Sequence, residues 1–263
     1  MLFARNLIER RSLLFQLVRR DFEQRFVGSA VGWVWGVIHP LVLLVSWTFV
    51  FSVCLKVPLP KDEVTQNYPL FLFAGMLPWL LFSDTVQRCA SSLLEHANLI
   101  TKTVFPAEVV PVSVFLSSLV SHALAMGMVI AAIALWENHI SIVLLLLPLY
   151  TLLLGLFAVG IGWIVASLQV YLRDTAQMLS VILTFWFWLT PIFIPEEQIP
   201  EKLRFLVGGN PLAYIVRAYR EMLLSSREPD LEGMATVALF AGATFVAGGL
   251  FFRHMKRGFA DVL

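Results

Sequence analysis

The amino-acid sequence predicts an all-α membrane protein, a single transmembrane domain over residues 1–263 with several membrane-spanning helices. Of the 263 residues, 59% are hydrophobic and 14% are charged, whereas soluble domains average about 45–50% apolar and about 25% charged residues. The mean hydropathy is +0.80. The formal net charge is only +1, so composition gives no reason to expect a nucleic-acid partner.

Six apolar stretches are long enough to cross the hydrocarbon core, which takes about 20 mainly apolar residues. They lie at about 33–55, 68–87, 109–135, 142–167, 176–195 and 234–252. Lipid offers the backbone no hydrogen-bond partners, so each stretch is expected to form a helix. The second is the weakest, because Pro78 interrupts its hydrogen bonds and Asp84 and Arg88 lie at its end.

Both termini are expected on the cytoplasmic side, because six spans return the chain to the side where it began. With the N-terminus inside, 12 Lys and Arg residues fall on inner segments and 7 on outer ones. This is the direction that the positive-inside rule favours. Five of the seven outer cations lie in the long segment 196–232, which also holds seven acidic residues.

The segment before the first span, residues 1–32, is predicted to hold a basic amphipathic helix at the membrane interface. Apolar residues recur at helical spacing from Leu13 to Phe26, and Arg19 lies on the opposite face. Asp21 and Arg25 have the i,i+4 spacing of an ion pair. Such a helix places its arginines among anionic head groups, so membrane lipids are expected partners.

The outer segment 196–232 is predicted to form an amphipathic helix that is re-entrant or lies flat at the outer surface. The pair Asn210-Pro211 is typical of a helix N-cap followed by proline at the first helical position. Arg217 is spaced to pair with Glu221. Prolines near the end of span five are expected to kink it and complete a gate over the outer mouth. The expected gate residues are Pro191, Pro195, Asn210, Pro211 and Tyr219.

The chain carries no recognisable catalytic or nucleotide-binding motif. The patterns GxxxxGK[ST], HExxH and GxSxG are absent, and the five histidines lack metal-ligand spacing, so no metal site is expected. His39 and His122 lie within or beside spans, as functional groups or as neutral imidazoles bonded to a neighbouring helix. Spans three to six have no charge at their centres, which disfavours ion-coupled transport. Energy for uphill transport would come from another polypeptide.

Three motifs occur in order along about four fifths of the chain. The first runs from Leu17 to Phe26 and continues with Ser29, Gly32, Trp35 and Pro40. The second is Gly75-Met76-Leu77-Pro78-Trp79, followed by Asn98-Leu99-Ile100, Lys102, Phe105-Pro106 and Pro111. The third joins Tyr171-Leu172-Arg173-Asp174-Thr175, Leu189-Thr190-Pro191-Ile192-Phe193-Ile194-Pro195, Ile199-Pro200, Asn210-Pro211 and Tyr219-Arg220. With these motifs the chain resembles the ABC-2 transporter permeases, and within them the branch that exports O-antigen, capsule and teichoic acid polymers. Phe26 stands where that family usually has tyrosine.

The resemblance implies a homodimer of six-span permeases in the bacterial inner membrane, joined to two copies of a separate ATP-binding subunit. This chain would bind no cofactor, and ATP and Mg²⁺ would be held by the partner. In that family the connection between spans two and three docks into the ATPase, here about residues 95–105; an ordinary solvated loop is the alternative. The implied coupling residues are Asn98, Leu99, Ile100, Lys102 and Phe105. ATPase closure would push this connection and the interfacial helix, and so spread the two permeases.

The substrate implied by the resemblance is a lipid-linked polysaccharide, which aromatic rings suit because sugar C–H faces stack on them. Span five carries four consecutive rings at 185–188. Successive helical residues point about 100° apart, so Phe185 and Trp188 share a face, and with Trp47 they are expected to line a conduit. The alternative is that these rings face lipid or pack between helices.

Three other functions remain open. An ABC-2 exporter of lipids or drugs would use the same mechanism. A membrane channel or scaffold without an ATPase would have similar composition, and a neighbouring reading frame with a P-loop would decide against it. An integral-membrane glycosyltransferase needs carboxylates clustered near the cytosolic face, whereas the acidic residues at 196–232 are expected outside.

Overall fold

The computed structural model describes residues 11–24, 32–59, 65–102, 105–136, 142–225 and 227–262, and all regular elements in these ranges are helical. Four helices are long and apolar enough to cross a membrane: Tyr68–Glu95, Val109–Leu135, Ile142–Tyr171 and Leu231–Gly258. Two shorter apolar helices, Ile38–Cys54 and Thr175–Leu189, lie in the first and fifth apolar stretches.

We number the helices in chain order. They are α1 (Arg11–Gln24), α2 (Trp35–Thr48, continued by a π-helical turn Phe49–Cys54), α3 (Tyr68–Glu95), α4 (Ala97–Lys102), α5 (Val109–Trp136), α6 (Leu147–Tyr171), α7 (Thr175–Leu189), α8 (Arg204–Gly208), α9 (Pro211–Arg220, continued by a π-helical turn Glu221–Ser225), α10 (Leu231–Met255) and α11 (Phe259–Val262). Single 3₁₀ turns occur at Gly32–Val34, Glu196–Gln198, Glu201–Leu203 and Lys256–Gly258, and a longer one at Ile142–Leu146 precedes α6.

Helix α3 forms the centre of the fold, although its sequence is the least hydrophobic of the four long apolar helices. It packs against α2, α5, α6, α7 and α9, and 19 of its 28 residues are buried. Pro78 lies inside it without ending the helix. The helix extends to Glu95, about two turns beyond the predicted span, because the burial supplied by its neighbours outweighs its local polarity.

Helices α6 and α10 contact each other through their backbones. A Cβ atom placed on Gly248 would lie 2.1 Å from the carbonyl oxygen of Gly160, and one on Gly160 would lie 2.6 Å from the carbonyl oxygen of Thr244. Small residues permit this approach, which increases van der Waals contact where lipid supplies no hydrophobic driving force. The contact continues in Trp163, whose ring centroid is 4.8 Å from that of Phe245.

The fifth apolar stretch ends earlier than predicted. Helix α7 stops at Leu189 instead of continuing to residue 195, because Thr190 takes an extended conformation (φ −89°, ψ 130°) before a proline. Residues 190–195 therefore form an irregular bend rather than a kinked helix. Arg25, the predicted partner of Asp21, lies outside the described residues.

Candidate functional site

A cavity of about 640 Å³ lies between α2, α3, α5 and α7. Its wall contains polar side chains as well as rings, within a bundle whose buried core is otherwise mostly apolar. Polar and ionisable groups in such surroundings are costly to bury and commonly mark a pathway or a binding site. The lining residues used below are Trp35, His39, Trp47, Trp79, Asp84, Gln87, Arg88, Ser118, Ser121, Ser180, Thr184 and Phe187.

One end of the cavity is polar and charged. The Ser118 hydroxyl donates to Asp84 Oδ2 at 2.6 Å, which joins α5 to α3. One turn further along α3, Arg88 forms an ion pair with Asp21 of α1. The Gln87 side-chain amide donates to the carbonyl of Ala176 at 3.4 Å. Three helices and α1 are therefore linked by hydrogen bonds around this end.

The other end of the cavity is aromatic. The ring of Phe187 lies 5.2 Å from Trp47 and 5.3 Å from Trp79, centroid to centroid. Phe193, in the bend after α7, packs edge-on against Trp47 at 4.9 Å and stacks on Phe51 at 4.6 Å. These rings form one continuous cluster from the cavity to the bend.

The structure does not bring the three predicted conduit residues onto one surface. Trp47 lines the cavity, but Phe185 and Trp188 are 68% and 62% exposed and lie outside it. Phe185 instead borders a separate groove of 320 Å³ beside α8. Phe187, about 100° from either neighbour on the helix, is the α7 ring that faces the cavity. Helical periodicity places Phe185 and Trp188 on the same face of α7, but it does not indicate which face of α7 meets α2.

Asn210 joins the end of α7 to the start of α9. Its side-chain oxygen accepts from the backbone of Leu212 at 3.1 Å, as an N-cap does, and from the Trp186 indole at 2.9 Å. Its amide nitrogen donates to the Thr190 hydroxyl at 3.1 Å. Of the expected gate residues, Pro191, Pro195 and Pro211 are buried around this junction.

Arg220, at the end of α9, holds the bend after α7 against α3. The side chain is only 6% exposed, and it donates to the carbonyls of Pro191 at 2.9 Å, Ile192 at 2.7 Å and Phe71 at 3.2 Å. Its guanidinium also lies 3.6 Å from the centroid of the Phe71 ring. A Cβ on Gly75 would fall 2.6 Å from the guanidinium, so the glycine makes room for it.

Tyr219, also an expected gate residue, ties α9 to the helices beneath it. Its fully buried hydroxyl lies 2.7 Å from the Thr151 hydroxyl of α6 and 3.3 Å from His122 Nε2 of α5. The imidazole of His122 therefore contacts a neighbouring helix, α9, and it also lines the cavity.

In the segment 196–232, Arg217 does not form the ion pair that its spacing predicts. Arg217 forms its ion pair with Glu196, in the 3₁₀ turn after the bend, and not with Glu221 four residues along. The side chain reaches across to another element because the bend brings Glu196 beside α9. Burial raises the pKa of Glu221, and the charge of Arg217 offsets part of that increase.

The predicted coupling connection contains a short helix, α4, with one exposed face. Asn98 and Lys102 are exposed on this face. Ile100 and Phe105 instead pack, partly buried, against the core of this chain, and Leu99 is also half-buried. Ile100 and Phe105, which were expected to enter an apolar cleft of a partner, are thus partly buried within this chain.

The C-terminal end of the chain is tied to the region beside α4. Lys256 Nζ lies 2.6 Å from Glu108 Oε2, whose residue is 6% exposed, and the Trp163 indole donates to the Glu108 carbonyl at 3.1 Å. The Tyr171 hydroxyl donates to the carbonyl of Met255 at 2.9 Å. Helix α11 then packs against α4 and α6.

Helix α1 packs against α5, and Leu17 is buried there. Arg19 is exposed and pairs with Glu23 at 2.8 Å. Asp21 pairs with Arg88, whereas the predicted partner Arg25 lies outside the described residues. Asp84 is the only charged residue within the second stretch and Arg88 follows its end, which marks this region as polar but does not identify Asp21 as the partner.

A bundle of long apolar helices around a partly polar cavity is typical of a membrane transport protein. Residues 12–224 match the model of the ABC-2 type transporter family, and the chain belongs to that family. Together with the apolar helices, this membership indicates an integral inner-membrane protein.

Curated relatives cover almost the whole chain. An O-antigen export system permease protein RfbA of Myxococcus xanthus is 28% identical over 260 residues, 98% of each chain. A protein of the same name from Klebsiella pneumoniae is 27% identical over 252 residues, 95% of each. The polysialic acid transport protein KpsM of Escherichia coli is 21% identical over 238 residues, 90% of this chain and 91% of the relative.

Proposed function

We propose that this chain is the membrane-spanning permease subunit of an ATP-driven ABC exporter that moves a lipid-linked polysaccharide of the O-antigen type across the bacterial inner membrane. The observation that carries the proposal is the cavity, in which hydroxyl and carboxyl groups lie opposite indole rings. That combination favours a hydroxylated substrate over an apolar lipid or drug. The names of the relatives, which are export permeases for O-antigen and polysialic acid, agree with it.

The functional assembly we propose is a homodimer of six-span subunits with two ATPase subunits, which hold ATP and Mg²⁺. The spans are α2, α3, α5, α6, α7 and α10, and both termini are cytoplasmic. Helix α2 with its π-helical turn covers 20 residues, about 30 Å at 1.5 Å per residue. Helix α7 is shorter, and residues 190–195 of the bend extend this span across the rest of the membrane. The exposed rings of Phe185 and Trp188 are then available to a second copy or to the conduit between copies.

In the proposed mechanism, the ATPase displaces α4, and the displacement is transmitted through the bundle to the outer segment. The exposed face of α4, with Asn98 and Lys102, contacts the ATPase, while Ile100 and Phe105 transmit the displacement to the core against which they pack. Helix α1 moves with α3 because Asp21 and Arg88 are paired. At the outer side, residues 190–195 and α9 form the gate that opens as the bundle spreads.

Co-purification with a candidate ATPase subunit tests the proposal. The variants Asn98→Ala and Lys102→Ala should release the ATPase from the tagged permease, because both side chains lie on the exposed face. Lys202→Ala, an exposed lysine in the outer segment, is the matched control and should retain it. If Lys102→Ala and Phe105→Ala both leave ATPase assembly and polysaccharide export intact, the coupling assignment is wrong.

A further inference from the structure

Helix α10 carries an exposed face that runs along its whole length. Its buried positions pack against α6 and α9, and on the opposite side exposed positions recur every three or four residues, as on one face of a helix. One line of these exposed positions consists of Glu232, Ala235, Leu239, Ala243, Val246, Leu250 and Arg253. The line is apolar throughout and charged only at its two ends.

The length of this exposed face matches the thickness of a bilayer. Glu232 and Arg253 are separated by about 31 Å along the helix at 1.5 Å per residue, and the hydrocarbon core of a membrane is about 30 Å thick. None of the residues 233–252 is charged. The face therefore changes from a carboxylate to hydrocarbon and then to a guanidinium over the depth of one membrane, which favours lipid as its neighbour.

The segment that follows the basic end of this face is held in a fixed orientation. The Lys256 ammonium lies 2.6 Å from the carboxylate of the buried Glu108, and the Met255 carbonyl accepts from the Tyr171 hydroxyl at 2.9 Å. Phe259, one turn further along, is buried in the core. These contacts direct Lys256 towards the protein and fix the backbone that carries its neighbours.

Arg253 and Arg257, on either side of Lys256, are exposed. The charge of Lys256 is balanced by Glu108, whereas no ion pair within the described ranges of the chain involves Arg253 or Arg257. The two arginines are four positions apart, so their side chains start about one helical turn from each other and lie within reach of one anion. Two such cations at the end of an apolar face suit an anion that is itself attached to hydrocarbon.

We propose that Arg253 and Arg257 bind the phosphate head group of an anionic phospholipid in the cytoplasmic leaflet, and that its acyl chains lie along Leu250 and Val246. The site is outside the cavity, and it rests on the proposed function only for the orientation of the chain, with the C-terminus in the cytoplasm. The cytoplasmic leaflet carries a negative surface potential, and guanidinium groups bind phosphate oxygens through paired, charge-assisted hydrogen bonds.

Native mass spectrometry of the complete permease–ATPase complex measures this binding. The probes are phosphatidylglycerol, which is anionic, and phosphatidylcholine, which is zwitterionic, added in equal amounts to the complex in a nonionic detergent. The wild type should retain phosphatidylglycerol in preference to phosphatidylcholine. Arg253→Gln combined with Arg257→Gln should weaken one phosphatidylglycerol site per permease about 25-fold, since each cation beside an anionic lipid contributes about fivefold.

Two further variants control for net charge and for folding. Lys202→Gln combined with Arg227→Gln removes the same charge from exposed positions of the outer segment and should bind phosphatidylglycerol like the wild type. Arg253→Lys combined with Arg257→Lys keeps both charges and should bind within a few-fold of the wild type, because an ammonium group also binds phosphate. Equal retention of the two lipids by the wild type, unchanged binding in the Arg253 and Arg257 glutamine variant, or an equal loss in the outer-segment variant would each overturn the site.

Nitroxide spin labels in lipid nanodiscs show what covers the exposed face. A single label is attached at Leu250→Cys or at His254→Cys, with the exposed Cys54 replaced by serine and the buried Cys89 retained. The label at position 250 should collide with O₂, which concentrates in hydrocarbon, and the label at position 254 with a water-soluble nickel chelate. Shielding of both labels from both reagents would show that protein covers the face and would refute lipid binding.

The same complexes separate the lipid site from an ATPase contact and from the proposed function. Release of the ATPase by the glutamine variant with phosphatidylglycerol binding unchanged would give this surface to the ATPase and overturn the proposal. A wild-type complex that exports polysaccharide without preferring phosphatidylglycerol removes the lipid site and leaves the function. Selective phosphatidylglycerol binding in a complex that exports no polysaccharide leaves the lipid site and removes the function.

Discussion

Replacement of Arg220 by lysine is expected to loosen the bend at residues 190–195. The guanidinium donates three hydrogen bonds, to the carbonyls of Pro191, Ile192 and Phe71, at 2.7–3.2 Å. Lysine keeps the charge, but its single ammonium group does not reproduce a planar fork that reaches three carbonyls. Lysine should therefore keep only one of the three hydrogen bonds. At least one of the two lost bonds is then one that holds the bend, at Pro191 or Ile192.

The size of the effect follows from those bonds. A hydrogen bond that involves a charged group contributes about 1.5 kcal/mol at the lower end of its range, so two contribute about 3 kcal/mol. Since about 1.4 kcal/mol corresponds to a tenfold change in an equilibrium, the open form of the bend should become roughly 100-fold more populated. Gly75→Ala should act in the same direction but more weakly, because its Cβ would displace a guanidinium only 2.6 Å away.

Hydrogen exchange measured by mass spectrometry on the peptide that contains residues 190–195 detects this opening. The backbone amide of Ile192 is bonded to the Thr190 carbonyl at 2.7 Å, so its exchange reports the bend. Arg217→Lys, on the same helix, is the control: its ion pair with Glu196 is partly exposed and should change exchange only a few-fold. Unchanged exchange in Arg220→Lys, or an equal increase in Arg217→Lys, would refute the reasoning.

Three further predictions concern contacts elsewhere in the bundle. Arg88→Gln should weaken the attachment of α1 by removing the ion pair with Asp21, so protease cleavage within α1 should become faster while the thermal midpoint changes little; unchanged cleavage would contradict this role of the pair. Lys256→Gln should lower the thermal midpoint because it removes a cation that pairs with the buried Glu108 carboxylate, and the second change Glu108→Gln should restore part of the loss; no recovery would contradict the pairing. Gly248→Val should lower the midpoint more than either, since its Cβ meets backbone at 2.1 Å, and an unchanged midpoint would show that α6 and α10 are not in backbone contact.

Features that depend on local sequence pattern could be predicted from the sequence. Apolar length located the helical stretches, and Asn210-Pro211 marked the start of α9 as an N-cap and proline do. The ordered motifs indicated the family, which the match over residues 12–224 confirms. The number of spans, the sites of the coupling and gate residues, and the homodimer stay predictions.

Contacts between distant segments were not predictable from such patterns. Arg220 and Phe71 are 149 positions apart, and Arg88 and Asp21 are 67 apart. Periodicity shows which face of a helix is apolar, but most faces of a membrane-spanning helix are apolar whether they meet lipid or another helix, so periodicity does not select the neighbour. For the same reason, the sequence pointed to Phe185 as a conduit ring, whereas Phe187 is the α7 ring that lines the cavity.

Reconstitution into sealed vesicles tests the central claim most directly. Lipid-linked polysaccharide supplied on one face should appear on the other only when this chain, the ATPase subunit and ATP-Mg²⁺ are all present, and an ATPase variant that binds but does not hydrolyse ATP should abolish sustained transport. Net accumulation of the polymer against its gradient by this chain alone would contradict the account.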